Sequence, residues 1–458
     1  MELDTGTTAW VLASAAFVLF MTPGLAFFYG GMTRSKSVLN MLMMSFSAMG
    51  IVSVLWVLYG YTLAFGLDAG GHGLIGNLDL LGLKTITTAS VTNGLSDFVF
   101  VAFQMMFAII TLALISGAIA DRMKFGAWAL FSVLWISIVY FPVAHWVFAF
   151  GAPIYDTGAA GGAGAAAGYV AGTGGWIVSK LGALDFAGGT AVHINAGAAA
   201  LALVLVLGKR KGFGRDPMRP HNLPLVMIGT GILWFGWFGF NAGSALGANG
   251  LAGLAFVNTQ VATAAGLLGW IITERFRDGR PTTLGAASGA VAGLVAITPA
   301  CGSVTPVGAI LVGLIAGIFC CIAVTFKHRG GYDDALDVVG VHLVGGLVGT
   351  LLIGLVASDT STGSADLRGL FYGGGVDLLG KQAIAAGAVL AYSFVLTYLI
   401  ALFIKVTIGL RISEDDEAAG IDTAEHAESA YEFAGLGTAG SGSLAGAPSP
   451  SAQVKVHS

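Results

Sequence analysis

Charge is shut out of most of this chain. Of its 458 residues only 10% are Asp, Glu, Lys or Arg, and 56% are apolar, whereas a soluble domain carries roughly 25% charge. The charges gather in short connections between apolar runs of about 20 residues, the length a helix needs to cross a ~30 Å hydrocarbon core. Lipid offers no hydrogen-bond partners, so such runs must close their backbone bonds internally, as helices. Eleven runs qualify, near 8–31, 39–66, 97–120, 125–150, 187–208, 223–245, 251–273, 283–300, 305–326, 337–357 and 381–409. The expected fold class is therefore an all-α polytopic membrane protein of eleven transmembrane helices. Seventy glycines suit helices that approach one another through small residues.

Alternate connections differ sharply in basic charge. Sixteen of the 21 Lys and Arg residues fall on one side, four (Lys84, Lys180, Arg368 and Lys381) on the other, and Lys455 in the tail. The excess predicts an amino terminus outside and a carboxyl terminus in the cytoplasm. No basic region precedes the first run, so a cleaved signal peptide is not expected. An odd number of spans inverts equivalent positions, so the fifth span runs inward from Asp185 to His193, while the tenth, whose run is opened by Asp333, Asp334 and Asp337, runs outward from Asp337 to His342. This predicts an inverted repeat of five plus five spans with the eleventh outside it, and a site at the repeat interface near mid-depth. Residues 1–409 then form the membrane domain, 410–433 a cytoplasmic regulatory tail, and 434–458 a low-complexity Gly/Ala/Ser/Pro segment. The Ala/Gly-rich connection 151–182 also has no pattern that demands structure.

Two histidines lie inside the least charged runs, His193 in DFAGGTAVHINAG and His342 in DVVGVHLVGG. An ionisable group inside a membrane span reads as part of a pathway. His193 lies eight residues beyond Asp185, roughly 12 Å along a helix, close to the middle of the bilayer. If the two helices enter from opposite faces the rings meet at the midplane, holding neutral imidazoles or at most one shared proton. Two unrelated packing histidines, each bonded to nearby backbone, explain the pattern equally well. A metal is not expected, because neither histidine has a third ligand at useful spacing. The three cysteines, Cys301, Cys320 and Cys321, read as core residues. No enzyme motif and no cofactor site appears.

Phe103 and Phe107 share a helix face at i, i+4, as do Phe240 and Ser244 in WFGWFGFNAGS, and HWVF (145–148) ends the fourth span. Aromatic faces attract a desolvating cation and a hydroxyl can accept from it, although aromatics at this depth are more often belt or core residues. Asp185 either caps the fifth helix or stabilises a cation above the pathway; the roles are compatible. Asp121 with Arg122, and Glu274 with Arg275, read as interface ion pairs.

Several long segments in order, including PGLAFFYGGMTRSKSVLN (23–40), DFAGGTAVHINAG (185–197), GKRKGFGRDPMRPHNLP (208–224), GWFGFNAGSA (236–245) and DVVGVH (337–342), make the chain resemble the ammonium transporters, the Amt branch of the Amt/Rh family, over roughly residues 8–431. The resemblance implies a homotrimer with a pore in each protomer, conducting ammonium or ammonia, with methylammonium as an analogue, across the cell membrane. It implies that His193 and His342 line the pore, that Phe107 and Phe240 form a stacked gate, that Ser244 belongs to an outer recruitment site, and that Asp185 lies below that site. The family pattern carries a tryptophan where this chain has Phe148 in HWVFAFG; either Phe148 serves there, or Trp176 or Trp146 substitutes. The tail 409–433, with Asp422, His426, Glu428 and Tyr431, resembles the family's regulatory tail, and so implies a PII-type signal protein as partner. A neutral Rh-like gas channel, a sensor-transducer and a sodium-coupled transporter remain as alternatives.

Overall fold

The computed structural model describes residues 2–150 and 174–431; the low-complexity segment 434–458 and most of the connection 151–182 lie outside them. Among the described residues ten helices are long and apolar enough to cross a membrane: α1 (Thr5–Met32), α2 (Val38–Phe65), α3 (Asp97–Ile119), α4 (Phe125–Phe148), α5 (Gly189–Leu207), α6 (Leu223–Gly243), α7 (Gly250–Arg277), α9 (Pro306–Gly330), α10 (Val339–Val356) and α11 (Asp377–Thr407). The run near 283–300 differs from the expectation. Its helix, α8, covers only Thr283–Ile297, about 22 Å at 1.5 Å per residue. Nearly every residue of α8 from Gly285 onward is buried, so protein rather than lipid surrounds it, and irregular backbone beyond Ile297 is tolerated.

Large apolar side chains such as Leu12, Phe20, Phe46, Phe235, Phe256 and Phe403 stand on the outer surface, where lipid rather than water is their natural solvent. The same packing pairs recur in the two halves. Helix α1 packs on α3 as α6 does on α8, α2 on α3 as α7 on α8, and α2 on α4 as α7 on α9, with α1 lying along α6 between the halves. The most enclosed long helix is α5, 89% buried against 33% for α2 and α11. It packs on α10 and α11, which brings the two histidine-bearing helices together at the centre.

Beyond the expectation for 151–182, Trp176–Leu181 forms a helical turn. Trp146 Nε1 donates to the Leu74 carbonyl at 2.7 Å, and its ring packs against Trp176 and Tyr392 at centroid distances of 5.7 and 4.6 Å.

Candidate functional site

Both histidines sit where their helices begin as π-turns, Gly189–Ile194 and Val339–Leu343; such turns re-aim side chains and concentrate at functional sites. Each helix start is capped by an acid eight residues before its histidine. Asp185 accepts from the backbone N–H of Gly188, Gly189 and Thr190 at 2.8, 2.6 and 2.7 Å, and from the Thr190 hydroxyl. Gly188 at φ 111° makes that turn possible, a conformation open to glycine and strained for other residues. Asp334 accepts from Val338 and Val339 at 3.0 and 2.7 Å. Among the three aspartates before His342 it is therefore Asp334 that mirrors Asp185. Asp337 instead pairs with Lys327 at 2.6 Å and Asp333 with Arg210 at 2.8 Å. Burial, with Asp337 adding to it, pushes the Asp334 carboxyl up to about 6.

The helices touch through glycines placed four residues after each histidine. A Cβ on Gly197 would lie 2.5 Å from the Leu343 nitrogen, and one on Gly346 would lie 3.1 Å from the His193 Cβ. This close approach sets the rings side by side, with His193 Nδ1 and His342 Nδ1 3.3 Å apart and ring centroids 5.4 Å apart. One Nδ1 donates and the other accepts. The Nε2 of His193 has no hydrogen-bond partner among the described residues. A cavity of about 10 Å³, walled by Leu25, Ile110, Leu114, Val192, Leu233 and Val291, reaches both histidines; one water-sized molecule needs about that volume.

Above the histidines the aromatic rings form a column. Phe107 and Phe240 stack at 4.1 Å with 22° between planes, Phe148 meets the Phe107 edge at 6.2 Å, and His193 lies 6.4 Å from Phe240. Trp237, missed in the sequence reading, stacks on His193 at 5.5 Å and is fixed by a 2.8 Å bond from its Nε1 to Thr298 Oγ1. The Ser244 hydroxyl donates to the Phe240 carbonyl at 2.8 Å, so its own oxygen is left as an acceptor. Of the three rings weighed for the vestibule wall, Phe148 is the one that reaches the Phe107 stack. Trp146 and Trp176 pack on each other instead.

On the basic face the ion pairs differ from the sequence neighbours. Asp121, at φ 73°, turns from Arg122 to Arg34 and Arg210, both at 3.1 Å, while Glu274 accepts from Thr282 and Trp270. The tail lies against the loop 208–220, acidic residues of the one facing basic residues of the other. Glu417 pairs with Arg411 at 2.6 Å and accepts from the Lys211 nitrogen at 2.8 Å. Asp422 accepts from Leu39 and Asn40 at the start of α2, and His221 Nε2 lies 2.8 Å from the Tyr431 hydroxyl.

These pairs give stability a sign in pH. Burial opposes the charge of Asp333, yet Arg210 and Arg122 outweigh it and hold the carboxyl below its ordinary value. A depressed pKa stabilises the fold above the unfolded value of ~3.9, and that contribution is lost as pH falls through the folded value. Asp333→Asn is expected to lower Tm at pH 7, with its gap to the wild type closing below about pH 4. A gap that stays constant in thermal scans across that range contradicts this.

The structure thus defines a multi-pass membrane protein with a small, mostly apolar cavity beside two paired histidines at its centre. The sequence matches the Ammonium Transporter Family over residues 9–431. It is 59% identical to an ammonium transporter of Mycobacterium tuberculosis over 450 residues, spanning 94% of this chain and 91% of that one. Among solved structures it resembles a Sensor Amt protein (TM-score 0.81, 31% identity, 92% of this chain and 98% of that one). It also resembles Mep2 of Saccharomyces cerevisiae (TM-score 0.78, 34% identity, 91% and 89%). The chain belongs to the ammonium transporter family, and ammonium or ammonia is its substrate.

Proposed function

We propose that the chain carries ammonium nitrogen inward across the cell membrane by capturing ammonium outside, stripping its proton at or below the Phe107/Phe240 stack, and passing ammonia along His193 and His342, while the proton crosses separately by relay over the paired imidazoles, so that ammonium is re-formed inside and one net charge moves with each ammonia. The observation that carries this reading is the 3.3 Å contact between the two imidazoles in an apolar passage. A cation in such a passage is costly, whereas ammonia meets a donor or acceptor at each ring. Ser244 and Phe148 form the recruitment site, with Asp185 holding the turn beneath it. The basic face lies in the cytoplasm, each protomer of a homotrimer has its own pore, and the tail with loop 208–220 receives a PII-type protein. In solid-supported-membrane recordings, ammonium and methylammonium pulses should give responses and potassium none. An equal potassium response overturns the reading.

Phe attracts a cation less strongly than Trp, within a range of about 0.5–2 kcal/mol. Phe148→Trp should therefore tighten apparent ammonium affinity by up to about tenfold, since ~1.4 kcal/mol is one decade, and change maximal flux less. Trp176→Ala should leave affinity unchanged, because Trp176 packs on Trp146. Competition against labelled methylammonium reads both. The Phe148 substitution is also the observation that favours a neutral gas channel, and no affinity change in either variant would favour that second reading.

A further inference from the structure

Helix α11 lies outside the repeat, yet its buried stripe carries three polar side chains at different depths. Gln382, Ser393 and Thr397 are each fully buried. Thr397 accepts from Trp135 on α4 at 2.9 Å, and Ser393 donates to the Asn195 carbonyl on α5 at 2.7 Å. Gln382 does more. Its Oε1 accepts from the Leu184 nitrogen at 2.7 Å, and its Nε2 donates to the Leu184 carbonyl at 2.7 Å and to the Thr350 carbonyl at 3.1 Å.

Leu184 immediately precedes Asp185, and Thr350 lies on the helix of His342. One amide therefore ties the turn that places His193 to the helix that places His342. The bond pattern leaves little freedom: the side chain satisfies both backbone groups of one residue in a segment with no regular secondary structure, where a buried unpaired N–H or C=O carries a large desolvation penalty. An apolar residue would pack in this apolar stripe without that penalty to itself, but it would orphan Leu184.

We propose that Gln382 is a positioning residue for transport: it fixes the Asp185 turn against α10 and so sets the register of the two imidazoles. This rests on the pore reading given above. Gln382 touches neither histidine, so it acts through backbone placement alone. Misplacement by about 1 Å far from the chemistry can lower a rate by up to about a hundredfold.

The test is methylammonium uptake per assembled protein in liposomes, with ammonium competition. Gln382→Met, of similar length but unable to hydrogen-bond, should lower maximal flux by about tenfold, with a smaller change in apparent affinity. Gln382→Glu should keep most of the flux, because a protonated carboxyl both accepts from the Leu184 N–H and donates to its carbonyl. Thr397→Val separates this from general helix docking: it loses the Trp135 bond on the same helix and should lower Tm without lowering flux. If Gln382→Met does not assemble, Gln382→Asn, one methylene too short to reach Leu184, carries the same test. Wild-type flux in the assembled Met or Asn variant overturns the proposal, as does an equal flux loss in Thr397→Val. Flux retained in the Gln382 variants while wild-type methylammonium flux stays sensitive to ammonium and far above rubidium flux rejects the role of Gln382 alone; wild-type protein-dependent rubidium flux equal to methylammonium flux rejects the pore reading itself.

Discussion

Asp185→Ala is expected to bring methylammonium uptake down to that of protein-free liposomes. The carboxylate collects the Gly188, Gly189 and Thr190 N–H groups and the Thr190 hydroxyl. Each buried donor left unpaired costs about 1–3 kcal/mol, so the loss is large beside a total stability of about 5–15 kcal/mol. Much of the variant should therefore fail to assemble, which makes Asp185→Asn the sharper probe. Its amide keeps the shape but turns two N–H donors toward groups that themselves donate. The turn then shifts, and with it His193. Assembled Asp185→Asn should lose at least tenfold in flux, read per molecule after size-exclusion chromatography. Normal flux from assembled Asp185→Ala would reduce the residue to a dispensable cap.

The second large effect is expected at the helix crossing. Alanine at position 197 would bring a Cβ 2.5 Å from the Leu343 nitrogen and 2.7 Å from its Cα. Backbone cannot swing aside as a side chain can, so α5 and α10 must part by about 1 Å to regain van der Waals separation. Overpacking of this kind costs about 1–3 kcal/mol. The separation falls where the imidazoles meet, so Gly197→Ala should lower Tm and cut methylammonium flux about tenfold or more. Gly387→Ala on α11 is the control, since nothing lies within 4 Å of its Cβ position. That change should leave flux alone and stabilise slightly, by about 0.5–1 kcal/mol. Wild-type Tm and flux in Gly197→Ala would show that the crossing is not close-packed.

Much of the architecture is written in one-dimensional features. Apolar runs and basic loops mark the spans because lipid imposes both, and the inverted placement of Asp185 and His193 against the acids before His342 points to the central crossing. The opposed charges of the tail and loop 208–220 likewise announce their contact. What escapes depends on where the backbone turns. Asp121 and Arg122 look like partners in sequence, but a positive φ at Asp121 points its carboxylate toward Arg34 and Arg210. Asp334 rather than Asp337 caps α10, although the equal spacing from Asp185 to His193 and from Asp334 to His342 was available as a signal. So was the glycine four residues after each histidine. Helix α8 is short because its neighbours, not lipid, surround it, which no hydropathy window reports. Gln382 escapes the sequence reading altogether, because it is one polar residue in an apolar run and its partners are backbone atoms that sequence cannot place.

The central claim is that the passage is too dry and narrow for a cation and admits ammonia beside the paired imidazoles. The direct measurement offers labelled methylammonium and labelled rubidium in parallel to the outside of one batch of proteoliposomes and records the entry of both. An ion in hydrocarbon is disfavoured by ~2.5–3.5 kcal/mol even on lenient scales, about two decades in rate at ~1.4 kcal/mol per decade. The account predicts methylammonium entry, suppressed by ammonium, that exceeds protein-dependent rubidium entry by at least about a hundredfold. Comparable protein-dependent fluxes of the two would mean that whole cations pass the histidines, and would contradict it.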